Sequence, residues 1–114
     1  LIKFSCILQV ALSLKQGGGW WEQTKGTTIH TAEELDTLID ENPGKFIMLD
    51  FYMQNCHWCQ VFQPEWNKLV DDFADWFGPS VIFAKVDGPE NQYLASHYKI
   101  GSYPSFTFLD IEAS

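Results

Sequence analysis

Two cysteines separated by two residues, in Cys56-His57-Trp58-Cys59, carry the strongest chemical signal in this sequence. They follow at once on an apolar run that holds a single acid, within Asp50-Phe51-Tyr52-Met53-Gln54-Asn55. Thiols at this spacing, set at the start of a helix, can close on each other as a small disulfide ring. The unpaired N–H groups and dipole of a helix N-terminus favour negative charge, so the first thiol ionises more readily than a free cysteine, and the thiolate is the attacking species. Cys56 is then a nucleophile, Cys59 the resolving thiol, and the two together a redox-active disulfide. No metal or organic cofactor is required.

Other readings of the pair stand beside this one. A Cys-x-x-Cys is also half of a zinc site, but the remaining candidates, Cys6, His30 and His97, stand far off at no ligand-like spacing, and His57 lies inside the pair. The cysteines could equally be inert and packed in the core. His30 and His97 read most simply as surface or helix-end residues. Asp50 is flanked by Ile47, Met48, Leu49, Phe51 and Tyr52, which would bury it and raise its pKa toward the range useful for proton transfer. The alternative is an exposed acid at a strand end.

The elements that must position these groups follow from periodicity and punctuation. Thr27 to His30 reads as a short strand, and Thr31-Ala32-Glu33-Glu34 as a capping box opening a helix with Leu35, Leu38 and Ile39 inward. Pro43-Gly44 stops it. Phe46 to Met53 is almost continuously apolar, as expected of a strand covered on both faces of a parallel sheet. From His57 to Phe77 the residues Trp58, Phe62, Trp66, Leu69, Phe73 and Phe77 recur at helical spacing and predict one core-facing stripe, with Pro64 inside the helix and Gly78-Pro79 at its end. Trp58 differs from the rest, because between the cysteines a large ring would lie exposed beside the reactive sulfur. Val81 to Val86 is a third strand, Glu90 to Tyr98 a short helix with Tyr93, Leu94 and His97 or Tyr98 inward, and Ser105 to Leu109 a fourth strand. Strands alternating with helices predict a three-layer α/β domain with parallel pairing at its centre.

Length and composition set the remaining bounds. A chain of 114 residues, 46% hydrophobic and 16% aromatic, makes one domain with a substantial core. Seven basic against fifteen acidic residues give a formal charge of −8, which repels phosphate backbones and makes nucleic acid a poor partner. Residues 1–14 are too short to span a bilayer. They have the length of a secretory apolar segment, with Lys3 before it, and read as a signal or membrane-proximal anchor. The alternation of Ile2, Phe4, Cys6, Leu8, Val10, Leu12 and Leu14 supports a structural element instead. Gly17-Gly18-Gly19 is a flexible joint, so residues 1–19 form an N-terminal segment with a glycine linker and residues 20–114 the domain.

Taken together, Phe51-Tyr52 leading to Cys56-His57-Trp58-Cys59, then Pro64-Glu65-Trp66, Ala84-Lys85-Val86-Asp87, and Tyr98 followed by Ser102-Tyr103-Pro104-Ser105, resemble the thioredoxin family. The likeness is more specifically to the catalytic domains of protein disulfide isomerases and covers about residues 22 to 112. It implies a three-layer thioredoxin-like fold with a central mixed sheet, and a thiol-disulfide oxidoreductase acting on protein thiols and disulfides. By the same resemblance Asp50 is the buried acid that takes the proton of the resolving cysteine, and Lys85 the lysine beside it. Pro104 would be a cis-proline facing the sulfurs, and Tyr103 and Pro104, with Trp58, would form the substrate groove. Asn55, Gln60 and His57-Trp58 depart from the residues usual around the cysteines. The family's last strand and closing helix have no counterpart before Ser114, which leaves an open sheet edge and predicts a dimer or a larger complex. The apolar start and the isomerase likeness point to the endoplasmic reticulum lumen or another secretory compartment. A redox-inactive thioredoxin-like scaffold module is the competing functional reading.

Overall fold

The computed structural model describes residues 19–113. The apolar segment 1–14, with Cys6 and the choice between signal, anchor and added element, lies outside the described residues.

Among the described residues four strands form one sheet: β1 (Thr27–Ile29), β2 (Phe46–Tyr52), β3 (Val81–Asp87) and β4 (Ser105–Asp110). Their spatial order is β1-β3-β2-β4. The first three run parallel and β4 pairs antiparallel with β2, so the sheet is mixed, as expected. The described residues also form three α-helices: α1 (Ala32–Asp40), α2 (His57–Phe77) and α3 (Gln92–His97). A short 3-10 turn, Trp20–Gln23, precedes β1.

Strand parity sorts the residues into two layers. Ile47, Leu49 and Phe51 of β2, level with Ile82, Ala84 and Val86 of β3, pack with Leu35, Leu38 and Ile39 of α1 and Leu94 of α3. This is the main core. The opposite face carries Met48, Asp50 and Tyr52, level with Phe83, Lys85 and Asp87, and α2 lies over it. The expected three layers are present. Helix α1 starts where its sequence says: Thr31 Oγ1 accepts the Glu34 N–H at 3.1 Å, while the Glu34 carboxylate reaches back to the N–H of His30 rather than of Thr31.

Two expectations need correction. The aromatic stripe of α2 is not uniformly core-facing. Trp66 is buried and stacks on Phe106 at 5.6 Å, and Phe73 and Trp66 both meet Phe83 edge-on, yet Phe62 and Phe77 are about half exposed. The reason is that α2, at 21 residues, outruns the strip of sheet beneath it. Among the described residues no second helix shares that face, and Phe106 and Phe108 of β4 are exposed as well. Helix α3 is also shorter than expected. The Asp87 carboxylate accepts the Glu90 N–H and the Asp87 carbonyl accepts from Asn91 Nδ2, which holds residues 88–91 as a turn and delays the helix to Gln92. Leu94 and Ala95 then point inward, while Tyr93 and His97 are exposed and stacked on each other, and Tyr98 is half-buried.

Candidate redox site

The two sulfurs sit where β2 hands over to α2. Cys56 is the N-cap of that helix, with extended backbone, and its Sγ accepts the Cys59 N–H at 3.1 Å. Cys56 and Cys59 are joined as a disulfide, their Cα atoms 5.3 Å apart. Both are buried against Tyr52, with Trp20, Trp21, Met53 and Tyr103 completing the wall. The two residues between them face out, and the Trp58 side chain is 63% exposed. In the reduced state the same helix N–H would meet a sulfur anion, and hydrogen bonds to an ionised acceptor are the stronger kind.

Asp50 is buried, 7% exposed, as its apolar flanks predict. It stands level with Lys85 across the β2–β3 pair. Its Oδ1 is buried with no hydrogen-bond partner. Burial pushes its carboxyl from the ordinary 3.8 up to about 7, with the Lys85 charge pulling the other way. A group poised there holds its proton at mildly acid pH and releases it at mildly basic pH. Tyr52, driven up to about 12 chiefly by burial and then by Asp87, Asp50 and Glu22, keeps its phenol proton throughout.

Lys85 is buried, and its ammonium does not bond to Asp50. It donates to the carbonyls of Trp21 at 2.8 Å and Thr24 at 2.6 Å. Burial lowers its pKa, opposed by the charges of Asp50 and Glu22. Beside it opens a polar cleft of about 670 Å³, lined by Trp21, Glu22, Tyr52, Gln54 and Asp87 among others. The sulfurs do not line this cleft.

The Tyr103–Pro104 peptide is cis, and both residues are half-buried. Tyr103 joins the wall around the disulfide on one side. On the other its ring lies against the backbone of Gly88, so that a Cβ at that position would run into the phenol. Glycine is needed there for the close approach of the ring.

Of the sequence-predicted residues, Cys56 and Cys59 are joined, Asp50 and Lys85 are buried and level with each other, the Tyr103–Pro104 peptide is cis, and Trp58 is exposed. Sequence reasoning missed the segment Trp20–Lys25. Trp20 Nε1 donates to the Gln54 carbonyl at 2.8 Å, its ring meets Tyr52 edge-on, and Gln63 of α2 donates to both the Trp20 carbonyl and Thr24 Oγ1. The only signal was the unexplained Trp20-Trp21 pair after the glycines. The Gln54–Asp87 bond at 3.0 Å on the rim was equally unforeseen. His30 lines the cleft beside Lys85 and His97 stands outside it, and among the described residues no three His, Cys, Asp or Glu side chains gather as metal ligands.

A family model described as Thioredoxin matches residues 26–113. The chain belongs to the thioredoxin family. It is 26% identical over 81 residues to thioredoxin-T of Drosophila melanogaster, covering 71% of this chain and 49% of that protein. It is 30% identical over 84 residues to protein disulfide-isomerase of the same organism, covering 74% of this chain and 16% of that one. The chain therefore spans half or less of the length of these relatives. Among solved structures it superposes on Fasciola hepatica thioredoxin with a TM-score of 0.66 at 33% identity, over 76% of this chain and 79% of that one. Within this thioredoxin-family chain the segment Trp20–Lys25 stands outside the matched stretch.

Proposed function

We propose that this thioredoxin-family chain exchanges thiols and disulfides with protein substrates, and that it does so as a disulfide isomerase. The observation that carries the reading is the Cys56–Cys59 disulfide closed at the N-terminus of α2, with the Cys56 sulfur already accepting a helix N–H.

In the reduced state the Cys56 thiolate attacks one sulfur of a substrate disulfide. A Cys56–substrate bond forms, the substrate S–S bond breaks, and the other substrate sulfur leaves as a thiolate that takes a proton from water. Cys59 then attacks Cys56, its proton passing to Asp50, and the substrate's second sulfur departs. The enzyme ends oxidised and the substrate reduced by two electrons. Isomerisation is the case in which a substrate thiol attacks the mixed disulfide before Cys59 does. Asp50 suits the proton step because its burial places its pKa near neutrality. Lys85 is the charge that tempers it, and Trp58, Tyr103 and Pro104 form the surface that meets the substrate.

The isomerase reading draws support from the similarity to Drosophila melanogaster protein disulfide-isomerase and from the exposed Trp58 ring, an apolar platform beside the sulfurs for an unfolded chain. A secretory setting such as the endoplasmic reticulum lumen is proposed with it, on the apolar residues 1–14. Refolding of a scrambled, disulfide-bonded substrate tests the reading against insulin reduction. Wild type should restore the scrambled substrate's activity and Cys56→Ser should not. Insulin reduction without refolding activity would make the chain a reductase instead, and a Cys56 alkylation rate that rises only near the free-thiol pKa of about 8.5 would remove the activated thiolate altogether.

A further inference from the structure

The described segment ahead of β1 is tied down at every turn. The Lys25 N–H donates to Asn67 Oδ1, Trp66 Nε1 donates to the Lys25 carbonyl, Gln63 holds Trp20 and Thr24, and Trp20 reaches the loop before Cys56. So anchored to α2, it crosses the sheet face at Lys85 and offers that side chain two main-chain carbonyls. Asp50 is the only other acceptor level with Lys85 on the same face of β2. Neighbouring strands lie about 4.8 Å apart, so a lysine side chain can reach a carboxylate placed opposite it. Yet the two are not bonded, and Asp50 Oδ1 is left without a partner.

We propose that the strap Trp20–Lys25 is a positioning element of the redox centre, whose Trp21 and Thr24 carbonyls hold the Lys85 ammonium away from Asp50 and so keep that acid out of an ion pair. The competition is local. β3 brings Lys85 against Asp50, β2 contributes Tyr52, α2 carries the cysteine pair at its start, and β4 places Phe106 level with it and no titratable group. From the strap, Glu22 acts on Lys85 and Tyr52. With the strap in place the lysine acts on Asp50 only through space, and the desolvation of the acid prevails. With the strap loosened, the ammonium is free to swing onto the carboxylate, which favours the charged form. The catalytic meaning rests on Asp50 receiving the proton of Cys59 in the proposed function: a paired Asp50 would be a weaker base.

The test is a ¹³C titration of the Asp50 carboxyl in the whole chain, which needs no turnover. Gln63→Leu combined with Trp20→Phe removes the Gln63 bonds to the Trp20 carbonyl and Thr24 Oγ1 and the Trp20 bond to the Gln54 carbonyl, leaves the Lys25 end of the strap on α2, and does not alter Asp50, Lys85 or either sulfur. Thr24→Val, nearly isosteric, loosens the strap more gently. Lys85→Met supplies the opposite limit. Wild type should titrate near 7 and Lys85→Met higher. The double variant should titrate about one pH unit lower, a tenfold change in acid constant, and Thr24→Val should move the same way by less. A midpoint unmoved or raised in a natively folded double variant would overturn the proposal. If that variant fails to fold, an unmoved or raised midpoint in Thr24→Val does the same. A wild type that titrates as expected but exchanges no disulfides would sink the functional reading and leave the strap's role standing.

Discussion

Replacing Asp50 with asparagine keeps the shape of the side chain and removes its charge, which makes the cost of burying that charge measurable. The folded chain keeps the Asp50 proton up to about pH 7, whereas an unfolded chain releases it near 3.8. Between those values unfolding releases a proton, so stability falls as pH rises from about 4 to about 7, and the full cost stands above 7. A rise of about three pH units at about 1.4 kcal/mol each makes that cost about 4 kcal/mol, and at 7% exposure solvent screens little of it. The attraction to Lys85 is already contained in the value of about 7. Asp50→Asn should therefore stabilise the oxidised protein by about 4 kcal/mol at pH 8.5 and by only a few tenths at pH 4. With a urea slope of about 1.5 kcal/mol per M for a domain of this size, the unfolding midpoint moves by roughly 2 to 3 M at the higher pH. Urea unfolding of both proteins at the two pH values reads the difference directly. A gain equal at both pH values, or below about 1 kcal/mol at pH 8.5, would refute the claim that burial of a charge is what perturbs this acid.

The remaining predictions concern what surrounds it. Trp66→Ala removes the buried ring on which α2 rests and the bond to the Lys25 carbonyl, and should cost about 3 to 5 kcal/mol in urea unfolding; a loss under about 1 kcal/mol would mean that α2 is held elsewhere. Gly88→Ala pushes the Tyr103 ring off its seat and should raise KM for a protein substrate several-fold with kcat little changed, and an unchanged KM would separate Tyr103 from substrate contact. Lys25→Met breaks a pair that is short but exposed on both sides, so its cost should stay under about 1 kcal/mol and shrink further in 1 M salt.

Much of this was legible beforehand. The handover from β2 to α2 was readable because an apolar run ended at Met53 just before the cysteine pair and a helical stripe began at His57. The burial of Asp50 followed from apolar residues continuing past it. The outward half of the α2 stripe was not legible, because periodicity reports which residues share a face and says nothing of how much sheet lies under it. The delayed start of α3 depended on Asp87, five residues upstream, folding back on Glu90 and Asn91. The strap left almost no trace: a four-residue 3-10 turn has no period to detect, and it holds Lys85 with main-chain carbonyls, which every residue possesses.

Register is where sequence reasoning stops and pairing decides. β2 and β3 are each apolar on both faces with one buried charge, so the apolar residues alone tolerate several alignments. A slip by one residue would turn Lys85 to the α1 face, level with Leu49 or Phe51, and leave Asp50 alone against α2. Lys85 would then be buried away from the strap carbonyls that satisfy it and Asp50 away from the Lys85 charge, at several kcal/mol apiece. In the observed register they lie level, the lysine is satisfied by the strap, and the residual cost falls on the one group whose protonation can relieve it. The two charges therefore select against alignments that their neighbours would accept. The acid whose raised pKa suits it to proton transfer is the one that this selection leaves unpaired.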